Sequence, residues 1–257
     1  MARLMSIAAG VHPELAAPDM VRVAAEAGWG ACGVWFDPES WSDATTREVR
    51  RLLDDTGIVA LDLEPIISAP DHVDHGERLI ETAAALGVRN VLFTSRLPDL
   101  FATIDRFAEL CVVAASHEVR LVCEFLPIFP LATLDMARRV VETHNPEVAG
   151  ILVDNLHLAR SGGSLADVAG VDRSRLPYLQ IADAPAQPPV GMRALLDEAM
   201  NGRLLPGEGA LPIGELLDTV PAVPLSFEIR SRALRDRWTD PFERARVVWR
   251  QVNEMSD

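Results

Sequence analysis

The feature that most limits how this chain can fold is an alternation of short apolar runs with longer amphipathic stretches, repeated about eight times along 257 residues. Such an alternation is typical of βα units around a parallel sheet. The predicted strands are Leu4 to Ala9, Cys32 to Phe36, Val59 to Glu64, Asn90 to Thr94, Arg120 to Phe125, Gly150 to Asp154, Tyr178 to Ala182 and Leu225 to Ile229. Helical spacing of apolar residues is clearest at Met20 to Ala27, Thr45 to Asp55, Glu77 to Leu86, Phe101 to Ser116 and Leu134 to Glu142.

The number of units and the chain length together predict an α/β fold, a single (β/α)8 TIM barrel over residues 1–257. Eight units of roughly 32 residues match the length that an eightfold barrel requires. A doubly wound open sheet is the competing architecture, but the first βα turn lacks the G-x-G-x-x-G pattern of a dinucleotide site. Two irregular stretches, residues 184–191 and 204–212, precede the last strand, where we expect loops at the barrel mouth.

The amino-acid composition limits the kinds of molecule that this chain is expected to bind. A formal net charge of -14 disfavours binding to nucleic acid and to anionic membrane surfaces. The three cysteines lack C-x-x-C spacing, so a disulfide framework is not expected and a reducing cytoplasm fits best. The N-terminal residues do not resemble a signal peptide, and no apolar stretch is long enough to span a membrane. A homo-oligomer is left open.

Four predicted strands carry a polar residue at or near their C-terminal ends, namely Glu124, Asp154, Gln180 and Glu228. A buried parallel strand seldom holds a carboxylate, because its removal from water needs compensation by a metal or a partner. The C-terminal ends of the strands form the face on which barrel enzymes place their chemistry. The four residues can therefore converge on one point from strands five to eight.

Three carboxylates and a carboxamide form an oxygen-rich ligand set that suits one divalent ion, manganese, magnesium or cobalt more than zinc. For any one of these residues, a helix N-terminus or an ion pair is an equally ordinary partner. The four together are better explained by a metal site.

Around these residues the chain resembles the xylose isomerase-like TIM-barrel superfamily, which includes sugar isomerases, epimerases, 3-dehydroshikimate dehydratases and endonuclease IV. The likeness covers nearly the whole chain, and its most specific pieces are LVCEFLP, GILVDNLHLARSGG, YLQIADAP, LPGEGALPI and SFEIRS. The resemblance implies that Glu124, Asp154 and Glu228 are metal ligands and that His157 faces the substrate. At position 180 the epimerases usually have a histidine, and Gln180 departs from this. A glutamine at this position resembles hydroxypyruvate isomerase-like proteins and some dehydratases. This chain is acidic and has only six histidines, so it does not fit endonuclease IV, and a role in DNA repair is not expected.

The implied activity is a metal-dependent isomerase or epimerase that acts on a sugar-like hydroxy-carbonyl substrate, or polyhydroxy acid, through an enediolate. Glu124 and Glu228 would remove and return the proton next to the carbonyl, with His157 assisting. Further candidates for substrate binding are Arg160, Arg230, Glu64, His12 and Trp35. Each arginine could instead pair with an acidic neighbour, and for Trp35 packing in the core is the favoured interpretation.

Three alternatives remain. A substrate with a β-hydroxyl would lose water, which would make the protein a dehydratase of the 3-dehydroshikimate type. The barrel could also bind a carbohydrate without turning it over, although the intact carboxylate set argues against this. Thirdly, the backbone amides of Gly207 to Gly209 could bind the phosphate of a sugar phosphate.

Overall fold

The computed structural model describes residues 3–254 and shows a closed barrel of eight parallel strands in sequence order. β8 pairs with β1 and completes the barrel. The strands are β1 Met5–Ile7, β2 Ala31–Trp35, β3 Val59–Ser68, β4 Asn90–Ser95, β5 Arg120–Glu124, β6 Ala149–Asp154, β7 Leu179–Ile181 and β8 Leu225–Phe227. The predicted fold is therefore confirmed, and each predicted strand overlaps an observed one.

Helices follow the strands and pack around the barrel. They are α1 Ala17–Ala27, α2 Asp43–Thr56, α3 Gly76–Leu86, α4 Leu100–Ser116, α5 Leu134–Val141, α6 Asn155–Arg160, α7 Leu165–Ala169, α8 Met192–Asn201, α9 Ile213–Thr219, α10 Arg232–Arg237 and α11 Pro241–Glu254. Short 3-10 turns lie at Ala9–Val11 and Arg173–Arg175. In the described part of the chain, no helix has the length and apolar character needed to cross a membrane.

Local sequence signals explain where the helices begin and end. Ser42 and Thr45 form a capping box at the start of α2, in which each side chain meets the other residue's backbone N–H. Gly28, Gly57 and Gly87 end α1, α2 and α3 with positive φ angles of 91°, 70° and 73°. A left-handed residue at this position lets the chain turn from the helix into the next strand.

The barrel interior changes from apolar to polar toward the C-terminal ends of the strands. Its lower layer is an apolar cluster separate from the main core, formed by Ala31, Leu61, Leu92, Val122, Leu152 and Tyr178. Because side chains alternate along a strand, the residue two positions further on points inward as well. For Leu92, Val122, Leu152 and Tyr178, which lie on β4 to β6 and just before β7, those residues are Thr94, Glu124, Asp154 and Gln180, all buried. The alternation therefore aims this polar set at the barrel axis.

The connection from β7 to β8 contains more than loops. The two irregular stretches expected there flank a ten-residue helix, α8, which lines the mouth. Met192, Leu196 and Met200 occur every fourth residue on this helix and are 58%, 46% and 43% exposed. Their helical spacing thus gives α8 an apolar face that is open rather than packed into the core.

Candidate active site and metal centre

A cavity of about 1140 Å³ opens at the C-terminal mouth of the barrel. Glu64, Glu124, His157 and Glu228 contribute to its polar lining, and α8 contributes an apolar part. Glu124, Asp154 and Gln180 are 6%, 0% and 0% exposed, so the polar groups lie at the bottom of the cavity or just beneath it. The structure thus brings the strand-end residues together at the face where barrel enzymes react.

Asp154 both caps a helix N-terminus and forms an ion pair, the two ordinary roles of a carboxylate at a strand end. Its Oδ1 accepts hydrogen bonds from the backbone N–H groups of Leu156 (2.7 Å) and His157 (3.1 Å), which caps α6. Its Oδ2 accepts from Arg203 Nη1 at 2.5 Å. Burial alone would raise the pKa of Asp154, but the charge of Arg203 and the other contacts lower it. Asp154 is therefore held ionised, as a metal ligand must be.

Arg203, which the sequence did not single out, lies between two of the predicted ligands. Its guanidinium group contacts Asp154 and also Glu228, with an Nη2 to Oε2 distance of 2.9 Å, and Arg203 is 2% exposed. Its Nε donates to the carbonyl oxygen of Ala199, at the end of α8. The available signal was the position of Arg203 at the start of the Pro/Gly-rich stretch, close in sequence to the last strand.

Three described side chains are close enough to share a metal ion. Ligand atoms of Glu124, Asp154 and His157 lie within 4.8 Å of one another. This group includes His157, which was expected to face the substrate, and leaves out Glu228, whose carboxylate is paired with arginine. Imidazole nitrogen and carboxylate oxygen are both ordinary ligands of divalent metals.

Gln180 provides a test of whether the residues fit a metal. It is 0% exposed, and neither atom of its carboxamide has a hydrogen-bond partner among the described residues. A buried amide without partners costs about 1 to 3 kcal/mol. A metal beside Gln180, or ordered water, would satisfy the oxygen, so the residues present fit the predicted ion.

His157 is neutral in this environment. Burial lowers its pKa most, while nearby Asp154 raises it and Arg203 lowers it. Arg203 Nη2 lies 3.4 Å from Nε2 of His157, and a guanidinium group has only donors. Nε2 is therefore the unprotonated ring nitrogen; its one lone pair accepts from Arg203 and could bind a metal only if that contact were given up.

The carboxyl groups of the cavity differ in their surroundings. Burial, followed by the charges of Glu228 and Asp154, raises the pKa of Glu124 well above its ordinary value. Burial, followed by the charges of Asp62 and Glu228, does the same for Glu64. Glu228 accepts from Arg203 and from Arg230 Nε, each at 2.9 Å. The cavity thus holds carboxyl groups that resist ionisation beside a carboxylate with two cationic partners.

The two candidate arginines have different positions. Arg230 lines the cavity, with its guanidinium carbon 5.5 Å from the ring centroid of Trp35. Trp35 is 40% exposed, so core packing is the wrong interpretation and the tryptophan forms part of the pocket wall. The prediction that Arg160 binds substrate is corrected. Arg160 forms a bidentate ion pair with Glu198 (2.7 and 2.8 Å) and donates to the carbonyl of Pro185. The acidic neighbour therefore occupies Arg160, which anchors α8.

The structure also argues against the possibility, raised from the sequence, that the backbone amides of Gly207 to Gly209 bind a phosphate group. Asp183 Oδ2 accepts from the backbone N–H groups of Gly207 and Gly209, both at 2.9 Å. Its Oδ1 accepts from Leu211 N at 3.0 Å. A Cβ at Gly209 would lie 2.3 Å from Asp183, so the close approach requires glycine. These amides are used to hold the loop and cannot also bind phosphate.

A carboxylate that the sequence analysis did not single out is buried beneath the cavity. Asp62 is 1% exposed, and its Oδ2 accepts from the hydroxyl of Tyr178 at 2.7 Å. Burial raises its pKa to about 7, although the Tyr178 hydrogen bond opposes the shift. Asp62 lies two residues before Glu64 in a buried strand. Like the predicted ligands, it is a carboxylate where a buried parallel strand seldom holds one, and this signal could have identified it.

Comparisons with known proteins agree with this geometry. Residues 21–248 match the family model described as xylose isomerase-like TIM barrel. The 3-dehydroshikimate dehydratase of Pseudomonas aeruginosa PAO1 is 24% identical over 238 residues, which cover 85% of this chain but 37% of that protein. The inosose isomerase of Bacillus subtilis 168 is 23% identical over 170 residues, 62% of this chain and 59% of that protein.

The chain thus spans less than two thirds of the length of either of these two relatives. The barrel also resembles the crystal structure of the IOLI protein with a zinc atom, with a TM-score of 0.84, 17% identity and coverage of 98% of this chain and 97% of that chain. A family match over most of the barrel, together with the closed eight-stranded sheet, shows that this chain belongs to the xylose isomerase-like TIM-barrel family.

Proposed function

We propose that this chain is a divalent-metal-dependent isomerase or epimerase of a small hydroxy-carbonyl substrate. The observation that carries the proposal is the contrast between Glu124 and Glu228 in one cavity. Glu124 has a raised pKa, whereas two guanidinium groups bind the Glu228 carboxylate. Paired carboxyl groups in contrasting environments are the usual basis for assigning an acid and a base.

In this proposal Glu228 removes the proton from the carbon next to the substrate carbonyl, and Glu124 returns a proton to the neighbouring or opposite position. The Nε2 of His157 accepts from Arg203, so it would accept a hydrogen bond from a substrate hydroxyl only in place of that contact. Arg203 and Arg230 keep positive charge beside the base, which favours the anionic state that proton removal creates. The apolar residues of α8 reduce the access of water to the reacting carbon.

The residues that would hold the metal in this proposal are Glu124, Asp154, Gln180 and Glu228. Of these, Glu124 and Asp154 have ligand atoms within 4.8 Å of each other and of His157. The chemistry that a divalent ion would supply there is Lewis-acid polarisation of the substrate carbonyl. The predominance of oxygen donors favours manganese, magnesium or cobalt over zinc.

Hydrogen exchange tests the proposal directly. We would incubate the manganese-supplemented protein with an inosose or with 3-dehydroshikimate in heavy water and follow the proton next to the carbonyl by NMR. Exchange or isomerisation is expected, and Glu228→Gln should slow it by at least ~10²-fold. A Glu228→Gln protein that retained its metal and wild-type rate would contradict the assignment of the base.

A dehydratase is the second candidate, supported by the arginines at the site, which could bind an acidic substrate. In this reaction the same proton is removed and a β-hydroxyl leaves as water, so an aromatic product would absorb in the ultraviolet. Absorbance that appears with 3-dehydroshikimate would favour the dehydratase. Exchange without a change in absorbance would favour the isomerase.

A further inference from the structure

A second cavity, of about 190 Å³, adjoins the main one at the end of β1. Trp35 and Arg230 line both cavities. The other lining residues are Ala9, Gly10, His12, Pro13, Leu15, Ala17 and Met20. At roughly 30 Å³ per water molecule, the cavity has room for a small polar group and its neighbouring atoms. Its lining contains cationic, neutral polar and apolar side chains, and the carboxylate of Glu228 lies beside Gly10.

His12 has an unsatisfied nitrogen in this lining. The residue is 2% exposed, and its Nε2 has no hydrogen-bond partner among residues 3–254. The other ring nitrogen, Nδ1, lies 3.1 Å from Nη1 of the buried Arg244. Because a guanidinium group only donates, Nδ1 must be the acceptor and Nε2 must carry the proton. His12 thus contributes a buried N–H donor that has no acceptor.

The protonation state of His12 reinforces this geometry. Burial, followed by the charge of Arg244, lowers its pKa to about 4, although Glu14 opposes the shift. The imidazole is therefore neutral at ordinary pH, and its single N–H is fixed on Nε2. An unmatched buried donor of this kind is costly unless a ligand or water accepts its hydrogen bond.

Arg230 supplies the positive charge of the second cavity. A Cβ on Gly10 would lie 2.5 Å from Arg230 Nε and 2.9 Å from Glu228 Oε1, so the ion pair of these two residues lies over the backbone of Gly10. Only Nε of Arg230 donates to Glu228, at 2.9 Å. The cavity therefore combines a neutral N–H donor that lacks an acceptor with a guanidinium group whose Nη atoms do not bond to Glu228.

We propose that the second cavity binds a carboxylate of the substrate, which makes the substrate a hydroxy-keto acid rather than an uncharged sugar. The Nε2–H of His12 and the Nη atoms of Arg230 are donors, and donors suit a ligand group that only accepts. A hydroxyl would bring its own donor, and the nearby carboxylate of Glu228 already accepts from Arg203 and Arg230. This inference rests on the proposed function, because it assigns one end of the molecule whose other end reacts in the main cavity.

Two unreactive probes test the subsite. Shikimate is a cyclic hydroxy acid and myo-inositol is an uncharged cyclic polyol, and neither has a ketone or aldehyde group to be turned over. Calorimetric titration of the manganese-supplemented protein should show tighter binding of shikimate. His12→Asn keeps an acceptor near Arg244 but loses the Nε2 donor, so it should weaken shikimate binding by about ten- to hundred-fold. His12→Gln places an amide N–H near the Nε2 position and should restore most of the affinity.

Myo-inositol serves as the internal control, since its binding should not change in His12→Asn. Arg96 is the competing anchor: it is exposed, lines the main cavity and has its guanidinium carbon 4.6 Å from the ring centroid of Phe129. If Arg96→Gln, and not His12→Asn, removed the preference for shikimate, the proposal would be wrong. Equal binding of both probes by the wild-type protein would overturn it as well.

Nitrogen-edited NMR of the wild-type protein needs no variant. The His12 Nε2–H signal should be present without ligand and should shift with shikimate but not with myo-inositol. A proton found on Nδ1 would overturn the proposal. If His12→Asn lost shikimate binding while no carbonyl substrate exchanged its proton, the subsite would stand and the proposed function would fail. Continued exchange with unchanged shikimate binding would refute the subsite alone.

Discussion

Arg203 Nη1 lies 2.5 Å from Asp154 Oδ2, so one of the predicted metal ligands already has a cationic partner. The same guanidinium group reaches Glu228. Positive charge in the candidate centre is thus supplied in part by the protein. Metal binding at Asp154 and Glu228 would change or share these ion pairs.

The first prediction is that Arg203→Gln destabilises the metal-free protein by about 3 to 5 kcal/mol, because two buried carboxylates lose a charged partner. Manganese should recover more stability in this variant than in the wild-type protein, since it would replace the missing charge. Thermal unfolding with and without manganese measures both effects. Arg160→Gln also breaks a buried ion pair, with Glu198, and serves as the control that manganese should not rescue. Equal gains in all three proteins would refute the prediction.

The second prediction is that the purified protein binds about one divalent ion per chain and that Asp154→Asn or Glu124→Gln removes it. Asparagine keeps an oxygen that can cap α6, so the first change should remove the ligand charge and spare the helix. Elemental analysis after dialysis measures the metal content. Glu64→Gln alters a carboxyl group of the same cavity outside the proposed ligand set and should keep its ion. Unchanged metal in both ligand variants would exclude the proposed centre.

The third prediction concerns the unpartnered carboxamide of Gln180. Gln180→His should preserve the fold and shift the metal preference toward zinc, because imidazole is a softer donor than an amide oxygen. Gln180→Glu retains an oxygen donor and should not produce this shift. Competition titrations between zinc and manganese compare the two variants. An identical preference in wild type and both variants would mean that residue 180 does not contact the ion.

The fourth prediction follows from the pKa of Asp62, which is about 7 in the folded protein. Because the unfolded value is about 3.9, the folded state retains the proton longer, and stability falls as pH rises from about 4 to 7. Asp62 alone contributes a slope of at most about 1.4 kcal/mol per pH unit. Asp62→Asn keeps an acceptor for Tyr178 and should remove this slope.

Urea unfolding at several pH values measures the slope for Asp62→Asn and the wild-type protein. Tyr178→Phe is the matched control, because loss of the hydrogen bond should raise the pKa of Asp62 further and extend the slope to higher pH. Parallel stability curves for wild type and Asp62→Asn between pH 4 and 7 would show that Asp62 does not titrate there.

The sequence predicted the barrel and much of its polar mouth because both follow from short-range rules. Strand alternation determines which residues point inward, and parallel strands bring Glu124, Asp154 and Gln180 to one end. β3 was expected to end at Glu64, and the next residue, Pro65, has no N–H to donate within the sheet. The strand instead continues to Ser68 with a shift of register between Leu63 and Ile66, which accommodates the proline.

The remaining features depend on contacts between segments distant in sequence. Arg203 reaches Asp154 across 49 residues, and Tyr178 reaches Asp62 across 116. No periodicity reports such pairs. The partner of Arg160 was similarly open, because a guanidinium group binds a substrate carboxylate and a glutamate side chain by the same hydrogen bonds. The position of α8, which places Glu198 beside Arg160, determines that the partner is the glutamate.

The attachment of α8 has a consequence for how this barrel could acquire new specificities. The helix forms part of the cavity wall and meets α6 through the ion pair of Glu198 with Arg160. Residues 185–202 come from one continuous segment between β7 and β8, whereas the proposed ligands come from strands β5 to β7 and, for Glu228, from the residue directly after β8. Exchange of this segment, with Glu198 retained, would therefore reshape the substrate wall as a separable module and leave the reacting groups in place.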